Sequence, residues 1–223
     1  MSANVILAGV GGQGAVLASK LLARAAMGRG LPVKTAETIG MAQRGGSVFS
    51  HVRVGEGTHS PLIGRGRADA IVAFEPAEAV RQLPFLRPGG MVVTSDAPVV
   101  PVSAATGGPA YDLPAIMSYL QECVGEKNLV VVDAAAAEAE LGTARALNVV
   151  LLGAAARAGA LGPVTVDDLA DAVRATVSPR FLDLDLAALS IGDVFFRADK
   201  MGQACPRAYG TSSRAIWPIG PLQ

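Results

Sequence analysis

Two glycine-rich loops carry the residue types best suited to binding chemistry. The first reads G-V-G-G-Q-G at residues 9–14 and follows an apolar run at residues 5–8. In a dinucleotide site, such a loop makes a tight turn, lets the backbone approach a pyrophosphate and opens a helix whose free N–H groups attract an anion. The candidate binding residues of this loop are Gly9, Gly11, Gly12, Gln13 and Gly14.

The second loop, G-M-A-Q-R-G-G-S at residues 40–47, follows another apolar run at residues 33–36. The guanidinium of Arg44 is a fixed fork suited to a carboxylate or a phosphate, and the glycines after it let another group approach the backbone closely. We therefore predict Arg44 as the candidate catalytic residue. The candidate binding residues here are Glu37, Gln43, Gly45, Gly46 and Ser47.

Each of these features also has a purely structural explanation. Glycines are required wherever a strand turns sharply into a closely packed helix, and an exposed turn can carry a solvated arginine. Glu37 stands at about the spacing expected of a ribose-binding acid, so the first loop favours a phosphate-capable fold without specifying NAD. We interpret His51 and His59 as structural, and Glu75 before Pro76 as a helix cap.

The loops lie within alternating strand and helix patterns. These patterns predict a three-layer α/β/α fold with a mostly parallel Rossmann-like sheet, a helical C-terminal part and an extended tail. Residues 47–54 alternate in polarity, which favours an antiparallel or edge strand. The predicted parallel strands are 5–8, 33–36, 69–75, 91–94 and 129–133. The predicted helices are 15–27, 76–86, 114–124, 134–141, 144–160, 166–177 and 182–196.

The carboxyl ends of parallel strands meet at one edge of a sheet. We therefore expect one polar, glycine-rich edge, which we call the carboxyl rim. Its members are residues 9–14, residues 37–47, Glu75, Ser95, Asp96 and Asp133.

Composition narrows the possible functions. Nineteen basic residues balance nineteen acidic ones, which leaves no electrostatic footprint for nucleic acid and no basic stripe for a membrane surface. Two distant cysteines, Cys123 and Cys205, make a zinc site or iron–sulfur cluster held by this chain alone improbable. The N-terminus lacks a signal-type pattern, and the most apolar helix falls short of the roughly 18 residues of a membrane span. We expect a cytoplasmic chain.

Four segments together resemble one family. They are G-V-G-G-Q-G at 9–14, E-T-I-G-M-A-Q-R-G-G-S-V at 37–48, S-P-L-I at 60–63 and A-D-A-I-V-A-F-E-P at 68–76. This combination resembles the gamma-type domain of the 2-oxoacid:ferredoxin oxidoreductases, and within them the beta subunit of indolepyruvate ferredoxin oxidoreductase. The resemblance implies a gamma-type catalytic domain over 1–197 and leaves 198–223 as an extended tail.

The resemblance implies a subunit of a thiamine-diphosphate enzyme. Such complexes oxidatively decarboxylate an aryl 2-oxoacid, form an acyl-CoA and pass electrons through iron–sulfur clusters to ferredoxin. This chain has no G-D-G segment followed by an Asn-rich diphosphate motif, and it has only two cysteines. Thiamine diphosphate and the clusters are therefore expected on a larger partner subunit, with this chain inactive alone. The carboxyl rim is then a docking surface that completes the active site, or part of a shared CoA-binding face.

The sequence departs from the family pattern at one segment and is compatible with two alternative functions. Residues 182–186 read L-D-L-D-L where the family shows an Asn-rich stretch, which leaves the 2-oxoacid and the mode of partner contact open. The first alternative is a free-standing NAD(P)-dependent dehydrogenase that uses Gly9, Gly11, Gly14 and Glu37. The second is a non-catalytic module that binds a nucleotide or CoA.

Overall fold

The computed structural model describes residues 2–39, 46–57, 59–100, 110–191 and 195–197. The predictions for Gln43, Arg44 and Gly45, and for the tail 198–223, lie outside the described residues.

The described residues form one seven-stranded mixed sheet with the order β2-β3-β1-β4-β5-β6-β7. Strands β1, β4, β5 and β6 pair in parallel, whereas β3 is antiparallel to both β1 and β2, and β7 is antiparallel to β6. All strands except β3 and β7 therefore point the same way, as predicted. The strands are β1 (Ala3–Val10), β2 (Val33–Ile39), β3 (Ser47–Val54), β4 (Ala68–Ala73), β5 (Leu86–Ser95), β6 (Leu129–Val132) and β7 (Phe195–Arg197).

Helices cover both faces of this sheet and confirm the three-layer fold. One apolar core lies between the sheet and helices α1 and α4 to α7, and a second core lies between the opposite face and helices α2 and α3. The helices are α1 (Ala15–Gly28), α2 (Pro76–Gln82), α3 (Leu113–Val124), α4 (Ala134–Leu141), α5 (Leu147–Arg157), α6 (Val166–Thr176) and α7 (Pro179–Ser190).

The apolar run in β1 explains why this strand lies inside the sheet. Val5 and Leu7 face the first core, whereas Ile6 and Ala8 face the second, and all four are fully buried. A strand covered on both faces needs a continuous apolar run, unlike the alternation of a half-solvated strand. Strand β1 therefore holds the first glycine loop on a rigid base.

Strand β3 confirms the prediction of an antiparallel or edge strand over residues 47–54. It is antiparallel, as its alternating pattern predicts, but it lies between β2 and β1 and is not at the edge. Its face toward α1 carries Val48, Ser50, Val52 and Val54, all of them buried. Strand β2 is therefore the edge strand on this side of the sheet.

The sequence pattern predicts the C-terminal helix over 182–196, and this prediction is wrong at both ends. Helix α7 begins at Pro179, whose fixed φ and missing N–H suit the first helical turn, and it ends at Ser190. Residues Phe195–Arg197 form β7 because β6 would otherwise leave its backbone groups unpaired at the sheet edge. The helix predicted over 76–86 is also shorter, since α2 ends at Gln82 and a 3-10 turn (Leu83–Phe85) leads into β5.

Candidate functional site

The first glycine loop is held by the side chain of Gln13. Its Oε1 accepts a hydrogen bond from Val10 N at 2.7 Å, and its Nε2 donates to the carbonyl of Phe74 at 3.2 Å. The backbone N–H of Gln13 also donates to Val10 O at 3.0 Å. Gln13 therefore connects the end of β1 to the end of β4. Both ends of its side-chain amide are hydrogen-bonded to backbone groups of the protein.

The Phe74 carbonyl joins three strand ends at the carboxyl rim. It accepts hydrogen bonds from Gln13 and from Ser95 Oγ, the latter at 2.9 Å. Gly9 lies directly beneath this junction, where a Cβ would come within 2.8 Å of Gln13 Oε1 and 2.9 Å of the Phe74 ring. Glycine is thus required at position 9 by close packing, independently of any ligand.

Gly14 is the N-cap residue of helix α1 and adopts a left-handed conformation with φ of 81°. The carboxamide of Asn148 on α5 covers this residue, and its Nδ2 donates to Gly14 O at 3.3 Å. A Cβ on Gly14 would lie 2.4 Å from Asn148 Nδ2. The first turn of α1 has no side-chain cap and no acidic residue, so the positive end of its dipole is not offset locally.

The end of the second loop is bonded to the first. Gly11 N donates to Gly46 O at 2.8 Å. Ser47 Oγ donates to Glu78 Oε2 at 2.5 Å, and the other oxygen of Glu78 pairs with Arg81. Because Glu78 is only 1% exposed, it fixes the base of the second loop against α2. Gly46 and Ser47 therefore connect the first loop and α2 through hydrogen bonds.

Glu75 caps helix α2, as the sequence predicted. Its side chain accepts a hydrogen bond from Glu78 N at 2.9 Å, and Pro76 occupies the first turn. Tyr111 donates its hydroxyl to the other oxygen of Glu75. Burial raises the pKa of Tyr111, and the hydrogen bond and negative charge of Glu75 raise it further. Tyr111 is therefore a neutral donor.

Glu37 is separated from the first glycine loop by an intervening strand. Since β3 lies between β2 and β1, Glu37 stands two strand spacings, or about 9–10 Å, from the β1 backbone. Its carboxylate accepts a hydrogen bond from Ser19 Oγ at 3.1 Å. In the dinucleotide-binding order, the strand bearing the ribose-binding acid lies beside β1. The arrangement here differs from that order.

A cavity of about 390 Å³ opens at the carboxyl rim beside β5 and β6. Asp96 follows β5, and its Oδ1 accepts a hydrogen bond from Ala134 N at 2.9 Å. Burial raises the pKa of Asp96, and the Ala134 hydrogen bond offsets part of that effect. Neighbouring Asp133 caps α4 through Ala136 N at 2.8 Å. Residues of the lining include Asp96, Pro98, Ala134, Glu138, Leu141 and Leu147.

His51 has a structural position, as predicted. It is buried, and its Nδ1 accepts a hydrogen bond from Ile63 N at 3.2 Å. The rings of Phe49 and Phe85 flank it edge-on, with centroids 5.5 and 5.7 Å away. Burial lowers its pKa, so it is neutral at pH 7. It holds the segment around Ile63 against the sheet.

Two classes of feature are absent from the described residues. Within that part of the chain, no group of three or more His, Cys, Asp or Glu residues could hold a metal ion. None of the helices described is long and apolar enough to cross a membrane.

The fold and the rim define the class of protein. The Rossmann-like sheet carries an antiparallel strand between β1 and β2 and a glycine loop bonded to Gly46, so this α/β domain departs from the dinucleotide-binding order. The sequence profile of the pyruvate ferredoxin/flavodoxin oxidoreductase family matches residues 4–192. The chain belongs to this family and is therefore part of a 2-oxoacid:ferredoxin oxidoreductase.

Two similar proteins are archaeal. The indolepyruvate oxidoreductase subunit IorB of Archaeoglobus fulgidus is 39% identical over 197 residues, which cover 86% of this chain and 94% of that protein. The subunit of the same name from Thermococcus kodakarensis is 35% identical over 190 residues, covering 85% and 93%. These relatives match the indolepyruvate branch that the motifs resemble.

Solved structures share the fold at lower identity. The pyruvate oxidoreductase subunit PORC of Thermotoga maritima superposes with a TM-score of 0.61 at 20% identity, over 85% of this chain and 93% of that one. The 2-oxoglutarate:ferredoxin oxidoreductase of Magnetococcus marinus gives a TM-score of 0.58 at 20% identity, over 84% of this chain but 30% of that longer chain. The likeness to both supports the architecture.

Sequence reasoning missed two residues that organise the site. Asn148, 6% exposed, is a buried amide in an otherwise apolar helix. A single polar residue in such a helix indicates a hydrogen bond to another segment, and this was the available signal. Glu78 gave no comparable signal, because a glutamate in the first turn of a helix is common at exposed positions as well. Both act through contacts between segments far apart in the sequence.

Proposed function

We propose that this chain is the smaller subunit of an indolepyruvate-type 2-oxoacid:ferredoxin oxidoreductase. In this proposal, the complex oxidatively decarboxylates an aryl 2-oxoacid to an acyl-CoA and passes the electrons to ferredoxin. The chain holds neither thiamine diphosphate nor iron–sulfur clusters, and it completes the complex by docking on a larger subunit that holds both. The family membership and the relatives named IorB support this assignment.

One observation favours docking over an NAD site. The hydrogen-bonding groups of the first loop are largely committed within the protein: Gly11 N binds Gly46 O, and Gln13 uses its backbone N–H and both ends of its amide. A loop that cradles a pyrophosphate needs such N–H groups directed at the ligand. Among the loop residues, Gly12 is the exposed one. Because these groups are already bonded, the loop is better suited to contact with a partner protein than to binding a pyrophosphate.

The position of Glu37 argues in the same direction. A free-standing dehydrogenase needs this acid at the ribose of its dinucleotide, beside the first loop. Strand β3 separates the two, and Glu37 is engaged by Ser19. We therefore do not propose the dehydrogenase. Isolated chain titrated with NADH should show no saturable binding, whereas tight binding that Gly11→Val abolishes would favour the dehydrogenase.

Shared binding of CoA is compatible with the same rim. The uncapped first turn of α1 carries N–H groups with no intrahelical partner, and no acidic side chain competes for them. These groups are distinct from the committed N–H groups of Gly11 and Gln13, and together with the exposed Gly12 they would contact a phosphate of CoA bound between the two subunits. CoA should then bind the complex more tightly than either chain alone, as measured by calorimetry. Equal binding by the isolated chain would instead favour a nucleotide- or CoA-binding module.

Arg44 retains its proposed role at the active site. Lysine keeps the charge but loses the planar fork that binds an anion through two hydrogen bonds. In the assembled complex, Arg44→Lys should lower the kcat/KM for the 2-oxoacid without dissociating the subunits. Arg24→Lys, on an exposed position of α1, is the matched control and should leave the kcat/KM unchanged.

The direct test is reconstitution. The larger subunit is recognised by its thiamine diphosphate and iron–sulfur content and by co-purification with this chain from the native source. Mixing the two purified subunits should give indolepyruvate- and CoA-dependent reduction of ferredoxin that neither gives alone. If the larger subunit binds but reduces ferredoxin equally well without this chain, the proposed role is wrong.

A further inference from the structure

The cavity beside Asp96 has an unusual distribution of charge. Asp96 and Glu138 are the charged residues of its lining, and the rest of the wall is small or apolar apart from Thr143. Arg145 lies one residue after the lining residue Ala144 but does not line the cavity. A cavity with acidic groups and apolar walls favours a cation on an aliphatic stem, because the stem packs on the walls while the charge meets the carboxylates.

Asp96 is the group that such a cation would meet. Its Oδ1 is engaged by Ala134 N, and Asp133 beside it adds a second negative charge. Within the described part of the chain, the ion pairs involve other carboxylates, namely Glu78, Asp69, Asp168 and Asp171. Asp96 is half-buried, so its charge is only partly screened by water. Asp96 therefore has capacity for a cationic partner.

The cavity lies at the same edge of the sheet as the proposed docking surface. Leu147 in its lining is adjacent to Asn148, which covers Gly14 at the first glycine loop. Asp96 N also donates to Val132 O at 3.1 Å, so the cavity floor belongs to the same row of strand ends. A subunit seated on the carboxyl rim would cover this cavity.

We propose that the cavity beside Asp96 receives a lysine or arginine side chain of the larger subunit. This inference rests on the proposed function and adds the position and chemistry of one anchoring contact. The aliphatic stem packs against Leu141, Leu147 and Pro98, and the cationic group pairs with Asp96 and Glu138. A charge pair desolvated in this way contributes to the lifetime of a complex and to the choice of partner.

The test measures binding of the purified larger subunit to the full chain and to three variants. Asp96→Asn removes the charge and preserves the acceptor for Ala134 N. Glu138→Gln removes the second negative charge of the cavity lining. Glu140→Gln is the matched control, because Glu140 is an exposed residue of the same helix that does not line the cavity. Thermal unfolding of each variant checks that the fold is intact.

The predicted result is a Kd at least about tenfold higher for Asp96→Asn, through faster dissociation, with Glu140→Gln unchanged. The salt dependence of the wild-type Kd should also be steeper than that of Asp96→Asn. If wild-type chain and Asp96→Asn bind equally, within about twofold, the anchoring contact is wrong while the proposed function stands. If wild-type chain does not bind the larger subunit at all, the proposed function and the contact both fail.

Discussion

The contact between Gly14 and Asn148 gives the most quantitative prediction about the candidate site. Gly14→Ala changes two things at once. An L-residue in the left-handed conformation costs roughly 1–2 kcal/mol relative to glycine. The new Cβ would also lie 2.4 Å from Asn148 Nδ2, so the carboxamide must move and lose its bond to Gly14 O. That hydrogen bond contributes about 0.5–1.5 kcal/mol.

The free energy of unfolding should therefore fall by roughly 1.5–3.5 kcal/mol in Gly14→Ala. Gly142→Ala separates the two terms. Gly142 is also left-handed, with φ of 70°, but a Cβ there would meet nothing within 4 Å. The Gly142→Ala variant should therefore lose only the roughly 1–2 kcal/mol that the left-handed backbone conformation costs. Denaturant titration of both variants, followed by far-UV circular dichroism, measures the difference.

A double-mutant cycle completes this experiment. Asn148→Ala removes the two atoms that a Cβ on Gly14 would approach most closely, at 2.4 and 3.2 Å. In that background, Gly14→Ala should cost no more than Gly142→Ala. Coupling smaller than about 0.5 kcal/mol between positions 14 and 148 would refute the reasoning, because residues in contact are expected to exceed that value.

Three further predictions concern groups around the rim and the sheet. Gln13→Leu should lower the free energy of unfolding by roughly 1–3 kcal/mol, because it leaves Val10 N buried without its acceptor; urea titration checks this, and an unchanged midpoint would contradict it. Burial lowers the pKa of His51, so below pH 6.5 the unfolded chain takes up a proton that the folded chain resists. Stability should therefore fall as the pH drops from about 6.5, and His51→Gln, which can still accept from Ile63 N, should reduce that slope in urea titrations at pH 7.5 and 5.5. Burial raises the pKa of Asp96, so its contribution to stability is lost as the pH rises through the folded-state pKa. Asp96→Asn should thus raise the thermal midpoint of the isolated chain at pH 7, and a lower midpoint would contradict the burial argument.

Local sequence patterns predict the individual elements well. The continuous apolar run of β1, the helical period of α1 and the Glu75-Pro76 start of α2 all depend on residues close together in the chain, and the structure confirms them. Helix α4 begins and ends at the predicted residues. In these cases, the same residues that form the element also bury its apolar face.

Strand order depends on pairing between distant segments, and local patterns do not encode it. The alternation in β3 indicates a strand with two unlike faces, but it does not identify its neighbours. Its insertion between β2 and β1 is what separates Glu37 from the first glycine loop. A spacing that matches a ribose-binding acid in the sequence therefore does not give the matching geometry.

The candidate site shows the same limit. The glycine loop is recognisable as a motif, but the role of Gln13 depends on the carbonyl of Phe74, 61 residues away. The cover on Gly14 comes from Asn148, 134 residues away. The last helix and β7 were mispredicted for a related reason, because pairing of Phe196 with Val131 decides the conformation there. Long-range contacts assign these residues their roles.

The most direct test of the proposed function titrates this chain into a fixed amount of the larger subunit and follows ferredoxin reduction with indolepyruvate and CoA. The rate should rise from background and level off at a fixed ratio of the two chains, and Arg44→Lys should lower the kcat/KM without moving that ratio. Full activity of the larger subunit alone, or oxidation of a 2-oxoacid by this chain with NAD, would contradict the proposed function.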